Sequence, residues 1–479
     1  MDITEHIIVI NAYIRNFVWG PYMLYLLVGT GIYLSIRLGF PQFKHFSHVM
    51  KNTIGKIFNK GTAQKGEMTP FQALSTALAS TVGVGNVAGV TGALVLGGPG
   101  AIFWMWISGI FGMCTKFCEV TLALKYRERN EKGDWVGGPM YYIKNGLGPK
   151  WKWLGTLFAI FGALCAFGIG NLTQINSISV QVINVINAFS AEPLSKDAAF
   201  TIALIIGFVI AILAGFVLIG GVSKIGAVTE KLVPVMVVIY LASAIIVVLV
   251  NIKNLPAAFL SIFQCAFDPK AIGGGLAAST LMNCMSRGIA RGVFSNEAGL
   301  GSAPMAHASS SETNPVKQGF FGIFEVFVST ICICTLTALV VLTTGVADWG
   351  NAALADSQTT SLGFQAVFGP KIGSLIIASG LFMFAASTIL GWSLYGVRCA
   401  EFLFGHKIIR PYEILFCIVI VIGSVTNLNL VWDIADTLNG LMAIPNLIAL
   451  LALSPVTIKL ILDYFNSLKN NNPEEKKQD

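Results

Sequence analysis

The amino-acid sequence predicts an all-α polytopic membrane protein with eleven transmembrane helices, and three observations lead to this fold class. Of the 479 residues, 54% are hydrophobic and only 11% are charged, whereas a soluble globular protein carries roughly 25% charged residues. Eleven apolar stretches are each long enough to cross ~30 Å of hydrocarbon, which takes about 20 helical residues. Stretches such as 199–220 show no polar–apolar alternation, so they are not barrel strands. The composition also excludes a soluble enzyme, a disordered chain and a nucleic-acid-binding domain.

The eleven spans are predicted as helices because a helix satisfies its own backbone hydrogen bonds in lipid. The seventh span is the least regular, since Arg287, Arg291 and Glu297 interrupt it. The first span has no basic segment before it and is long enough to cross the membrane, so it is expected to be retained rather than cleaved as a signal peptide. The spans lie near residues 17–36, 71–96, 100–124, 153–187, 199–220, 231–250, 274–300, 320–344, 371–397, 412–428 and 431–453.

The loops between the spans predict the orientation of the chain. Loops 37–70 and 125–152 carry many of the 31 Lys and Arg residues, and loops rich in these residues stay in the cytoplasm. With an odd number of spans, the N-terminus then lies outside and the C-terminus inside. The net charge of +7 therefore reflects topology and implies no acidic partner. The basic residues of the opposite side are Arg15, Lys196, Lys253, Lys270 and Lys371.

Two of the spans contain helix-breaking and polar residues in their middle. In the second span, Gly83 and Gly85 each cost about 1 kcal/mol of helix stability relative to Ala, and Asn86 adds a buried amide. The seventh span holds Glu297, followed by another Gly-x-Gly at 299–301. Close helix packing would explain the glycines alone. It explains the amide and the carboxylate poorly, because intramembrane polar groups are costly and usually functional.

The positions of the two broken spans indicate an internal repeat. Without the first span, ten spans remain, and a broken span is the first of each group of five. Since five is odd, the second group enters the membrane from the opposite side, and such inverted repeats place a binding site near the midplane. The predicted segments are an extra N-terminal helix with a cytoplasmic loop (1–70), a first repeat (71–250), a second repeat (251–453) and a cytoplasmic tail (454–479).

The broken helices also indicate the chemistry of the site. An unwound turn exposes free amide donors at one half-helix and free carbonyls at the other. The donors, together with the half-helix dipole, suit a carboxylate, and the carbonyls suit Na⁺ or an ammonium group. A zwitterionic amino acid requires both kinds of group.

Three stretches of the chain resemble the alanine or glycine:cation symporter family, which comprises sodium-coupled amino-acid carriers. They are Gly83–Val90, Gly97–Glu119 and Arg291–Pro304, and the resemblance extends from residue 17 to 465 or so. The sequence departs from the family pattern at Cys114, where Ala is usual. The resemblance implies the leucine-transporter-like fold of two inverted five-helix repeats, here with one extra N-terminal helix.

The resemblance also implies roles for individual residues. Thr81 and Asn86 match the ligands of one sodium ion that lies near the substrate carboxylate. Ser295 matches a hydroxyl ligand in the second repeat, and Gly299 and Gly301 match its unwound turn. A second sodium site would consist of Ala79, Val82, Ser387 and Thr388.

Further polar or aromatic residues lie within the spans. Gln174 is in the fourth span, whose equivalent lines the pocket in the related fold, and Trp392 is either a core residue or a wall that limits side-chain size. Lys116 and Glu119 are expected to form a structural ion pair, with Lys116 reaching the membrane interface. The predicted substrate site comprises Thr81, Gly83, Gly85, Asn86, Gln174, Ser295, Glu297, Gly299, Gly301 and Trp392.

These observations predict a plasma-membrane carrier that imports a small neutral amino acid, alanine or glycine, together with Na⁺ by alternating access, without any other cofactor. One alternative is a proton-coupled amino-acid carrier of the same fold, in which Glu297 titrates. A more remote alternative is a membrane-embedded enzyme, but the sequence contains neither a His-Glu-x-x-His nor a Gly-x-Ser-x-Gly motif.

Overall fold

The structure is a computed structural model that describes residues 3–57, 63–64, 66–190, 192–268, 280–351, 354–426 and 429–471. These residues are mostly helical. The α-helices of the first part of the chain are α1 Ile3–Val18, α2 Pro21–Leu38, α3 Pro41–Lys44, α4 Phe46–Ile57, α5 Pro70–Thr81, α6 Ala88–Gly97, α7 Gly100–Lys125, α8 Pro139–Tyr142, α9 Lys152–Phe167 and α10 Thr173–Phe189. Those of the second part are α11 Lys196–Ile219, α12 Gly221–Val250, α13 Leu255–Phe267, α14 Leu281–Asn296, α15 Pro304–His307, α16 Pro315–Val326, α17 Thr335–Thr344, α18 Ser357–Phe404, α19 Ile409–Val425 and α20 Asn429–Asn471.

Short irregular helices and one small hairpin connect the long helices. The strands Glu128–Arg129 and Trp135–Val136 pair antiparallel in the loop after α7. The remaining elements are 3₁₀ turns at Val84–Asn86, Pro149–Trp151, Ile252–Asn254 and His406–Ile408, and π-helical turns at Ile143–Leu147, Gly168–Leu172 and Phe327–Cys334.

The prediction of an all-α multi-pass membrane protein is confirmed. Within the described residues, nine helical stretches and one bent pair are long and apolar enough to cross a bilayer. The seventh predicted span corresponds to α14, which has only 16 residues and includes Arg287 and Arg291. Residues 274–279 and 427–428, which were assigned to the seventh and tenth spans, lie outside the described residues.

The end of the last helix differs from the predicted one. The last helix was predicted to end at 453 with a tail after it, but α20 continues to Asn471. The continuation is held because His48 hydrogen-bonds the Tyr464 hydroxyl at 3.0 Å and His45 stacks on Phe465. α18 consists of two helices that meet at Gly369, where φ is 79°, and the second of them begins beside residue 371, the predicted start of the ninth span.

The two broken helices lie at the centre of the bundle. α5 packs against α12 and α18, while α14 packs against α6 and α7. α18 also contacts α9 and α10, and α7 also contacts α16. Because other long helices surround the two breaks, most residues of the breaks are buried.

Candidate functional site

The first break separates α5 from α6. Val82 (φ −89°, ψ 91°) and Gly83 (φ −133°, ψ −162°) are extended, and the helix axis bends by 62°. The fully buried Asn86 supports the break, since its side-chain oxygen accepts a hydrogen bond from the Gly83 N–H at 3.0 Å. The extended segment also separates the N–H groups of Val84 and Gly85 from the carbonyls of the preceding turn. These two N–H groups are therefore free of the α5 hydrogen-bond ladder.

The second break lies between α14 and α15. It is longer than the first, and side chains of other helices hold its backbone. Glu297 has φ 54°, and Gly299 and Gly301 have φ 92° and 81°, a region that L side chains other than Gly rarely adopt. Glu119 accepts a hydrogen bond from the Gly299 N–H at 2.9 Å, and the Asn446 amide donates to the Gly299 carbonyl at 2.9 Å. The backbone of the second break is thus held by side chains of α7 and α20.

A small cavity lies where the two breaks meet. Its volume is about 20 Å³, which is room for little more than one water molecule, so its wall must move outward before an amino acid fits. The wall combines backbone of the first break with side chains of the second break and of α18. Its lining residues are Ser80, Thr81, Gly83, Val84, Gly85, Ile169, Gln174, Phe294, Glu297, Thr388, Trp392 and Asn439.

Three polar atoms of the cavity wall lack a hydrogen-bond partner among the described residues. They are the side-chain oxygens of Gln174 and Asn439, which accept, and the indole N–H of Trp392, which donates. These side chains are only 6%, 2% and 1% exposed. Since a buried polar atom without a partner costs about 1–3 kcal/mol, the wall is suited to a ligand that carries both donors and acceptors.

The predicted substrate residues fall into two groups. Thr81, Gly83, Gly85, Gln174, Glu297 and Trp392 line the cavity together. Asn86, Ser295, Gly299 and Gly301 are not among the lining residues. Asn86 supports the first break, the Ser295 hydroxyl contacts Thr330 at 3.0 Å, and the two glycines form the backbone of the second break.

The residues predicted for a separate sodium site also lie close together. The hydroxyls of Ser387 and Thr388 are 3.2 and 3.0 Å from the Ala79 carbonyl oxygen. Each hydroxyl also reaches the Phe384 carbonyl of its own helix, at 2.9 and 2.8 Å. A hydroxyl has one hydrogen. When each hydroxyl donates it to the Phe384 carbonyl, lone pairs of both oxygens remain available, beside the Ala79 carbonyl, to bind a cation. Val82, the fourth predicted ligand, is buried at the start of the extended segment.

Sequence reasoning missed a buried charged network beside the cavity. Glu325 is fully buried and lies 3.3 Å from the Lys116 ammonium. Its carboxylate accepts hydrogen bonds from the Thr81 hydroxyl at 2.6 Å and from the His307 ring at 3.1 Å. Because Thr81 ends α5 and His307 ends α15, Glu325 joins the two broken helices. The only sequence signal was an acidic residue inside an apolar span.

The expected pairing of Lys116 with Glu119 is wrong. Lys116 is fully buried and pairs with Glu325, so it does not reach the membrane interface. Glu119 instead binds the second break and the Asn446 amide at 2.6 Å. The two residues share a helix face, but their neighbours in the bundle decide their partners.

Comparison with known proteins identifies the family. The sequence profile of the sodium:alanine symporter family matches residues 4–478. The chain belongs to this family. It is 45% identical over 461 residues to the sodium/alanine symporter AgcS of Methanococcus maripaludis, covering 96% of this chain and 97% of that protein. It is also 36% identical over 475 residues to the "Probable sodium/glutamine symporter GlnT" of Bacillus subtilis, covering 98% and 92%. This sodium:alanine symporter family member is therefore a multi-pass membrane transporter and not an enzyme.

Solved structures support the same fold for this family member. The transporter MhsT in complex with L-phenylalanine superposes with a TM-score of 0.57 at 14% identity, over 84% of this chain and 99% of that chain. A manganese transporter of Eremococcus coleocola superposes with a TM-score of 0.53 at 13% identity, over 82% and 78%. The leucine-transporter-like fold implied by the sequence resemblance is confirmed.

Proposed function

We propose that this protein imports a small neutral amino acid, alanine or glycine, together with Na⁺ by alternating access. The observation that carries the proposal is that both broken helices line one small cavity whose wall contains unpaired polar atoms. The substrate carboxylate binds the free N–H groups of Val84 and Gly85. The ammonium group binds the Glu297 carboxylate and the Gln174 side-chain oxygen.

The wall of the cavity supports a substrate with a small side chain. The ring of Phe294 and the indole of Trp392 line the cavity together with Gly85, and the cavity volume is only about 20 Å³. A Cβ atom added at Gly85 would lie 2.7 Å from the Phe294 ring, so the site has little room beyond the backbone. Glutamine, which appears in the name of the relative GlnT, is therefore a less suitable substrate than alanine or glycine.

The oxygen cluster of Ala79, Ser387 and Thr388 supports Na⁺ as the coupling ion. Na⁺ is a hard cation that prefers oxygen ligands, and this cluster offers three neutral oxygens, since each hydroxyl can donate its hydrogen to the Phe384 carbonyl. Thr388 also lines the cavity, so an ion here is close enough to stabilise the bound substrate. We propose that Thr81, Asn86 and Ser295 contribute to the amino-acid end of the site, the latter two through the backbone that they hold.

The orientation is part of the proposal. The exposed hairpin residue Lys132 faces the cytoplasm and Lys253 faces the outside, with the N-terminus outside and the C-terminus inside. A cysteine introduced at each position should react with an impermeant thiol reagent from one side only. Reaction of the Lys132→Cys variant with reagent added outside would show that the orientation is opposite to the proposed one. On the same reasoning, 71–250 and 251–453 are the inverted repeats.

The experiment that tests the proposal is uptake of labelled alanine into proteoliposomes at fixed pH, with an inward gradient of Na⁺, K⁺ or H⁺. Only the Na⁺ gradient is expected to drive accumulation. Unlabelled glycine should compete, and leucine, glutamate and glutamine should compete poorly. Accumulation driven by the H⁺ gradient without Na⁺ would favour the proton-coupled carrier, and stronger competition by glutamine would reassign the substrate.

A further inference from the structure

A second cavity lies next to the first one. Its volume is about 400 Å³, and it is lined by residues of α1, α14 and α20 and by Trp19. Phe294 belongs to the walls of both cavities. We call this second cavity the vestibule.

Several charged groups line the vestibule, and three of them form no salt bridge within the described residues. Arg15 is paired with Asp433, and the Trp19 indole donates to the Asp436 backbone carbonyl at 3.0 Å. Within the described residues, neither Arg287 nor Arg291 forms a salt bridge, the Arg291 guanidinium lies over the Phe294 ring at 5.6 Å from its centre, and the Asp436 carboxylate accepts no hydrogen bond. Two guanidinium groups and one carboxylate therefore face the same space.

Packing directs the two guanidinium groups into the vestibule. A Cβ at Gly97 would lie 3.0 Å from Cβ of Arg287, and one at Gly89 would lie 3.6 Å from Cδ of Arg291, so both stems pack on α6. Like charges at positions i and i+4 of a helix repel each other. An anion between them would relieve that repulsion, and the planar guanidinium group matches a carboxylate in geometry.

We propose that the vestibule is a second, transient binding site for the α-amino acid, and this inference rests on the proposed function. The carboxylate of the amino acid binds Arg287 and Arg291, and its ammonium group binds Asp436. The charges thus orient the substrate before it passes Phe294. Arg291 lies six residues before Glu297, about 9 Å along a helix, so the transfer distance is short.

A thiol-protection assay on the purified full chain tests this site. Ala290 lines the vestibule, and Ala290→Cys is modified with a water-soluble thiol reagent in sodium MES buffer, with and without alanine. Alanine is expected to slow the modification at least threefold. The protection should persist when Gly83→Leu fills the first cavity, and it should be lost in Arg291→Gln and Asp436→Asn. Lys371→Gln, which is outside the vestibule, serves as the matched control and should keep it.

Three results would overturn the proposal. One is loss of protection in Gly83→Leu when that variant is folded, since the first cavity would then be the site. Another is equal protection by chloride or by the methyl ester of alanine, since the vestibule would then not bind both the carboxylate and the ammonium group of the amino acid. The third is unchanged protection in both Arg287→Gln and Arg291→Gln.

Uptake kinetics give a second test that does not depend on the Gly83→Leu variant. Arg291→Gln is expected to raise KM for alanine about three- to tenfold, since a charge-assisted contact in a solvated site is weaker than a buried one. The Na⁺ concentration for half-maximal uptake should not change. A fall in the maximal rate alone, with KM unchanged, would indicate a structural role and contradict the proposal. Absence of Na⁺-driven alanine uptake by the unmodified protein would instead reject the proposed function.

Discussion

The two broken helices solve the same problem in different ways. The first break is short, and its support is local, since Asn86 holds Gly83 three residues away. The second break is longer, and its support comes from other helices, through Glu119 of α7 and Asn446 of α20. The first break therefore leaves the backbone N–H groups of Val84 and Gly85 available to bind a ligand. The second break uses its backbone internally and presents the Glu297 side chain to the cavity instead.

This difference explains why glycine has a different structural role in each break. At Gly83 and Gly85 the absence of a side chain keeps the cavity open, and neither residue has a positive φ. At Gly299 and Gly301 the positive φ itself requires glycine. The same Gly-x-Gly pattern thus serves ligand access in one half and backbone geometry in the other.

The largest expected effect comes from filling the first break. Gly85→Leu should abolish alanine binding, because the new side chain would meet the Phe294 ring and occupy the cavity. The same collision should lower the melting temperature of the purified protein, so binding is measured on the folded fraction. Gly29→Ala is a suitable control, since a Cβ there meets no atom within 4 Å. Retained binding in Gly85→Leu would mean that the cavity is not the substrate site.

The next effect concerns Glu325, which connects the two breaks. Glu325→Ala leaves the Lys116 ammonium buried without a partner, and breaking a buried ion pair costs about 3–5 kcal/mol. The melting temperature in detergent should fall accordingly. Glu413→Ala, which removes an ion pair with the exposed Arg410, should cost at most about 1 kcal/mol. Similar losses in both variants would contradict a connecting role for Glu325.

Glu297→Gln tests the contribution of the second break to binding. The variant keeps the shape of the side chain and removes its charge, so alanine affinity should fall about 10- to 150-fold, the equivalent of about 1.5–3 kcal/mol for a charged hydrogen bond. Equilibrium binding of labelled alanine measures this effect. Unchanged affinity would show that the ammonium group binds elsewhere, for example at Gln174 and Asn439.

The smallest expected effect is on stability at the second break. Gly299→Ala forces an alanine to φ 92° and brings a Cβ to 2.7 Å from a methyl group of Leu27. A left-handed conformation costs an L residue roughly 1–2 kcal/mol. The variant should therefore melt at a lower temperature while the folded fraction binds alanine normally. A specific loss of affinity without a loss of stability would remove the difference between the two breaks.

The sequence predicted those parts of the fold that depend on local pattern. Apolar length located the spans, and glycine with polar residues located both breaks, because these signals lie in contiguous residues. The partners of buried charges could not be predicted, since Lys116 and Glu325 are far apart in the chain and meet only in the bundle. The same holds for Asn439, which reaches the cavity from the last helix. The end of α20 was missed because its continuation is stabilised by contacts with α4.

The most direct test of the central claim is an alanine titration of the purified protein at fixed pH over a range of Na⁺ concentrations. We expect saturable binding in Na⁺ and none in choline. Thr388→Ala and Ser387→Ala should each raise the half-saturating Na⁺ concentration about five- to 150-fold, since a buried oxygen contact contributes about 1–3 kcal/mol. Their alanine affinity at saturating Na⁺ should change much less. Equal alanine binding in choline, or an unmoved Na⁺ dependence in both folded variants, would contradict the claim that Na⁺ and the amino acid bind together at the broken helices.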